Sequence, residues 1–167
     1  MSHYVIYSAP ALLLLITVMF WTLVPGGPVE TRRFSHYPPF ILGSFNTFLT
    51  ILGIGSLVVV YFCFAGSKWA FFGAAICGAS YFSVYALDLG KVFPVSPDNM
   101  SRTLFIIEVT GLLLSIPLTL LALLSASVVK NVTRDFHISV AGIVLLCLMV
   151  LLGTGIVIFA TKVTMRK

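Results

Sequence analysis

The chain has 167 residues, of which 59% are hydrophobic and 9% charged, with a formal net charge of +5 and a mean hydropathy of +1.10. Water-soluble domains carry about a quarter charged residues, so this composition excludes an ordinary soluble domain and leaves a chain solvated by lipid. The surplus Lys and Arg flank apolar segments and form no basic domain, which excludes a nucleic-acid partner and fits anchoring at headgroups.

The first predicted span covers about 5–24, inside a charge-free stretch from His3 to Glu30. It lacks a basic leader, and Val24-Pro25-Gly26-Gly27-Pro28 is a poor cleavage site, so it reads as a permanent helix. Those prolines and glycines end it by removing donors and freeing the backbone. The basic Glu30-Thr31-Arg32-Arg33-Phe34 loop that follows is expected at the headgroups.

Pro38 and Pro39 open the second predicted span, about 40–65, where proline is tolerated in a first turn. Gly66-Ser67-Lys68 is short enough to make spans two and three a tight antiparallel hairpin. The third span, about 69–88, sets Cys77, Tyr81, Tyr85 and Asp88 on one helical face. Lys91 and Arg102 are available to neutralise Asp88. Ser96-Pro97-Asp98-Asn99 reads as a turn, with Asp98 or Ser101 as a cap for the next helix.

The fourth span, about 103–128, carries one charge, Glu108, on a stripe of small or polar residues with Gly111, Ser115, Thr119 and Ala122. Pro117 is expected to kink it and free a carbonyl near Leu113. The fifth span, about 138–161, contains Gly153-Thr154-Gly155 and leads into a tail with Lys162, Arg166 and Lys167. Those three cations, with Arg32 and Arg33, are the expected headgroup contacts.

Seven of the ten Lys and Arg residues fall on the side of loops one and three and the tail. That places the N-terminus outside and the C-terminus in the cytoplasm. The reading is therefore an all-α integral membrane protein, a single five-helix membrane domain without a soluble part. The type of membrane is not specified by the sequence.

At about 1.5 Å per residue, Glu108, Asn46, Tyr81, Thr17 and Thr154 fall in one polar layer about 7–10 Å from the same side. A carboxylate at that depth normally faces protein or water. Glu108, supported by Asp88, Tyr81, Tyr85 and Asn46, forms a candidate proton or cation site. The structural alternative is a protonated Glu108 bonded to a tyrosine and joining two helices.

No cofactor or metal motif is present: His3, His36 and His137 lie outside the spans, and Cys63, Cys77 and Cys147 have no ligand spacing. The cysteines read as small buried hydrophobes. The sequons at Asn99 and Asn131 fall on opposite sides and read as chance. No nucleophile-and-base motif appears.

Small residues at Gly53, Gly55, Ala74, Gly78, Ala75, Ala79, Gly153 and Gly155 allow close helix approach. The leading expectation is thus a non-catalytic subunit or accessory that packs in the bilayer against other membrane helices, in a homo- or hetero-oligomer. A proton or cation translocator using Glu108 is the alternative, and a membrane enzyme acting on a lipid is the third reading.

Overall fold

A computed structural model describes residues 2–129 and 140–165. Five helices make up its regular structure: α1 (Ser2–Trp21), α2 (Pro39–Phe64), α3 (Lys68–Leu89), α4 (Arg102–Val128) and α5 (Val140–Thr164). No strand occurs among the described residues. Four helical stretches are long and apolar enough to cross a membrane: Pro39–Phe64, Lys68–Leu89, Arg102–Val128 and Cys147–Thr164. The apolar stretch of α1, Ile6–Trp21, is shorter.

The apolar residues determine which faces pack. In α1 the buried positions Ala9, Leu13, Ile16 and Thr17 repeat at helical spacing. In α4 the expected stripe is real: Glu108, Gly111, Ser115 and Ala122 are all buried, joined by Leu104 and Leu118. Helix α1 packs on α2, α3 and α4, and α3 lies along α4. Among the described residues, helix α5 packs on α2 and on no other helix. Outward-facing positions are also apolar, including Ile51, Trp69, Ile76, Leu151 and Leu152.

Glycine sets the closest helix approach. A methyl group at Gly78 would lie 2.5 Å from Thr119 Oγ1 and 3.2 Å from the Thr119 backbone nitrogen, so α3 and α4 meet almost backbone to backbone there. Gly66, at φ +78, makes the tight α2–α3 connection. Ser101 caps α4, its hydroxyl accepting from the Leu104 N–H at 3.2 Å. Asp98 is used elsewhere.

Local expectations differ at the end of α1 and at Cys147. Helix α1 ends at Trp21, because the N–H groups of Thr22 and Leu23 bond back three residues, to Met19 and Phe20, before the Pro-Gly segment begins. Helix α4 is assigned as one helix through Pro117. Cys63 is buried as expected, but Cys147 is exposed. His137, Asn131, Arg166 and Lys167 lie outside the described residues.

Candidate functional site

Residues 30–34 form an irregular strap across one end of the bundle. Its side chains alternate, with Glu30, Arg32 and Phe34 buried and Thr31 and Arg33 exposed. The turn at Gly26 returns the chain for this, with φ +85 and its N–H bonded to the Glu30 carbonyl at 3.2 Å. The Phe34 N–H donates to the Thr164 carbonyl at the end of α5. Outside, the Arg33 N–H donates to Asp98 Oδ2 at 2.9 Å, and the Ser96 hydroxyl donates to the Arg33 carbonyl at 3.0 Å. The strap is thus tied to the α3–α4 connection and to α5.

Arg32 is the centre of the site. Its Nε and Nη2 donate to Glu30 Oε1 and Oε2 at 3.0 and 2.6 Å, while Nη1 and Nη2 donate to Asp88 Oδ1 and Oδ2 at 2.8 and 2.7 Å. Both forks of the guanidinium are occupied by carboxylates. Its Cζ also stands 5.5 Å from the centre of the Phe34 ring. Burial opposes the charge, but the hydrogen bonds and charges of Asp88 and Glu30 prevail, and the guanidinium is held above its ordinary pKa.

Glu108 completes the cluster without joining either fork. Its Oε1 is 3.6 Å from Arg32 Nη2, an ion pair too long for a hydrogen bond. No donor among the described residues reaches its Oε2, although the residue is only 2% exposed. Three carboxylates and one guanidinium leave two formal negative charges when all are ionised. Buried charge of that kind is costly by several kcal/mol per ion, so the cluster calls for a proton or another cation.

One carboxylate oxygen each from Glu30, Asp88 and Glu108 lie within 4.8 Å of one another, the spacing a multivalent metal would use. Arg32 Nη2, however, stands 2.6 Å from Glu30 and 2.7 Å from Asp88. A metal among the three carboxylates would meet a fixed positive charge in its own place.

Beside the cluster is a cavity of about 90 Å³, lined from all five helices and the strap, room for several water-sized groups. Glu30, Arg32, Asp88 and Glu108 form its charged end; Phe20, Phe45, Leu49 and Ile156 are among its apolar walls. Three buried side-chain polar atoms lack a partner among the described residues: Trp21 Nε1, Tyr85 Oη and Glu108 Oε2. All three residues line this one cavity. Tyr85 fits there because residue 111 is glycine: a methyl group at Gly111 would stand 2.5 Å from its ring.

Residues 5–137 match the family model described as Domain of unknown function (DUF8051). The chain belongs to this family. No curated protein and no solved structure matches it. The matched stretch of this DUF8051 member contains the strap, Asp88, Tyr85 and Glu108, whereas α5 begins beyond it.

The sequence-predicted residues divide into two groups. Glu108, Asp88 and Tyr85 meet at the cavity, and Asn46 lines it while donating to Thr161 at 3.0 Å. Tyr81 sits one turn deeper and serves a different network: its hydroxyl donates to Ser56 at 3.1 Å and lies 3.2 Å from Thr17 Oγ1. The Tyr81 and Tyr85 rings are stacked at 6.3 Å. Thr154 is exposed and bonds within its own helix, so the proposed single layer does not form.

Arg32 requires a correction. It was expected at the headgroups, but it is 8% exposed and turned into the cluster, because Glu30 and Asp88 offer it two carboxylate partners there. It also takes the neutralising role expected of Lys91 or Arg102, both of which are exposed. Arg33 and Lys162 are exposed. Glu30, missed as a site residue, stands two positions before Arg32; an acid and a base separated by two in a short loop was the available signal.

Proposed function

We propose that this DUF8051 member is a five-span integral membrane protein that binds and passes a proton at Glu108, with its N-terminus outside and its C-terminus cytoplasmic. The lengths of the helices and their apolar outer faces support insertion. Discounting Arg32, which is paired internally, six of the remaining nine Lys and Arg residues still lie on the strap side.

The observation that carries the reading is the unbonded, buried Oε2 of Glu108 beside an Arg32 whose two forks are already engaged. Such a carboxylate has reason to exchange a proton and little reason to hold the fold together. Asp88 and Glu30 keep Arg32 in place, and Arg32 keeps the charge of the cluster low enough for that proton to leave again.

The test is proton flux in liposomes reconstituted with wild-type and Glu108→Gln protein, with melting temperature as the folding control. Flux lost in a variant that melts like wild type supports the reading. Equal flux in both proteins rejects it.

A second reading, a non-catalytic subunit in a homo- or hetero-oligomer, draws on Gly43, Gly55 and Gly155, where an added methyl group would touch nothing among the described residues. Such positions leave room for another membrane helix. Gly55→Leu together with Gly155→Leu would then dissociate a complex seen by native mass measurement in mild detergent. A protein that is monomeric before the change excludes a homo-oligomer, and failure to bring down other membrane proteins excludes a hetero-oligomer.

A further inference from the structure

We propose that the cavity beside Glu108 binds a small alkylammonium ion, its charge against Glu108 and its methyl groups among Phe20, Phe45, Leu49 and Ile156. The inference rests on the reading of Glu108 as an exchangeable site and names the substrate that competes with the proton there.

Charge selects the sign of the ligand. The groups facing Glu108 are Glu30 and Arg32 from the strap and Asp88 and Tyr85 from α3. With Arg32 engaged by Glu30 and Asp88, an ionised Glu108 leaves the charged end of the cavity net negative. A phosphate, a carboxylate or the phosphate of a zwitterionic lipid would be repelled.

The walls select the kind of cation. A hard metal ion needs several oxygen ligands to replace its water, and Arg32 occupies the position among the three carboxylates where it would find them. An ammonium that carries its own alkyl groups needs one anionic oxygen and an apolar surround. Glu108 Oε2 provides the first, with no donor to it among the described residues. The second comes from aliphatic walls and from the aromatic rings of Phe20, Trp21, Phe45 and Tyr85, whose faces attract such cations. Tyr85 Oη, 1% exposed as a residue and also unbonded, adds a lone pair at the same wall. The Trp21 N–H is a donor and takes no part in holding the charge.

Competition for one oxygen fixes the coupling. The ammonium ion binds when Glu108 has released its proton, and rebinding of the proton expels it. Each bound ion therefore releases one proton, and affinity weakens as acid refills Glu108.

Trp21 reports on the cavity once the exposed Trp69 is replaced by phenylalanine. Full-length Trp69→Phe protein in an uncharged maltoside detergent would be titrated with tetramethylammonium, with its neutral isostere neopentane, with sodium and with phosphocholine. A saturable change in Trp21 emission with tetramethylammonium alone is expected. Binding should weaken at least about tenfold on adding Glu108→Gln, and also with Leu49→Phe, which narrows the cavity and leaves the cluster untouched. Equal binding of the neutral isostere, of sodium or of phosphocholine, or unchanged binding in both variants, overturns the inference. The two proposals fail separately: Glu108-dependent flux without binding of the probe removes this one and leaves proton binding in place. Probe binding with equal flux in Glu108→Gln removes the proton reading and leaves the cation site.

Discussion

Arg32 and Asp88, separated by 56 residues of chain, meet through two parallel hydrogen bonds of 2.8 and 2.7 Å. The same guanidinium holds Glu30 with its other fork. Removing one member of a buried pair leaves the other charge without compensation, which costs about 3–5 kcal/mol. Arg32→Met should therefore destabilise the protein by about that amount. Arg32→Lys should fall between this variant and wild type, because an ammonium is a point charge and cannot fill two forks. Chemical denaturation in detergent checks the order; a lysine variant as stable as wild type would show that the forks do not matter.

The three carboxylates should behave differently. Glu30→Gln and Asp88→Asn each remove a bonded partner of Arg32 and should lower stability by about 3 kcal/mol. Glu108→Gln removes a charge whose Oε2 takes no hydrogen bond from the described residues, so its stability should stay within about 0.5 kcal/mol of wild type or rise. Thermal melts of the three variants side by side decide this. A Glu108→Gln protein that melts as early as Asp88→Asn would make Glu108 structural.

The two stacked tyrosines offer a sharper contrast. Tyr81→Phe strips a hydroxyl that donates to Ser56 and should cost about 1 kcal/mol. Tyr85→Phe removes a buried hydroxyl with no partner among the described residues and should be neutral or stabilising. Melting temperatures of the two single variants are sufficient, and equal losses would contradict the hydrogen-bond assignment.

Glycine substitutions should separate by position. Gly78→Ala pushes a methyl group against the backbone of Thr119 and should cost about 1–3 kcal/mol, the usual penalty of overpacking. Gly55→Ala meets nothing among the described residues and should not destabilise the monomer. The comparison is made in a detergent that keeps the protein monomeric.

The loop pair Arg33–Asp98 provides a pH dependence outside the helices. Hydrogen bonds from the Arg33 side chain and backbone hold the Asp98 carboxyl below its ordinary range. A carboxyl depressed in the folded state adds stability above its unfolded pKa of about 3.9, and that contribution is lost as pH falls through the folded value. The difference in melting temperature between wild type and Asp98→Asn should therefore be present at neutral pH and vanish at strongly acid pH. High salt should shrink it as well, since both groups are partly in water. A difference that persists in acid would assign the effect to the turn at residues 96–99 and not to the charge.

Much of this architecture was legible in the sequence, for a simple reason. Long uncharged runs bounded by Pro, Gly and charge can satisfy their backbone only as helices when few polar side chains are present. Glu108 stood out because one charge in such a run needs a partner, and the small residues at Gly111, Ser115 and Ala122 marked the face on which it would find one. The spacing of Tyr85 and Asp88 placed them on a matching face of α3, where they are. Arg32 was misplaced because a cation in a loop beside a helix reads the same whether it reaches outward or folds under. Composition cannot tell these apart; the direction of each side chain along the strap does. The single polar layer failed for Thr154 because depth along a helix does not specify which way a residue faces.

Residues 30–34 gather points that are far apart in the order of synthesis. Arg32 reaches Asp88, Arg33 reaches Asp98, and the Phe34 N–H reaches the Thr164 carbonyl. A nascent chain carries the strap long before any of these partners exists. A fragment ending after α2 holds Arg32 by Glu30 alone, and one ending after α4 still leaves the Phe34 N–H unanswered. The strap therefore settles only after α5 has joined the bundle, so one short loop is among the earliest parts made and among the latest to be held in place.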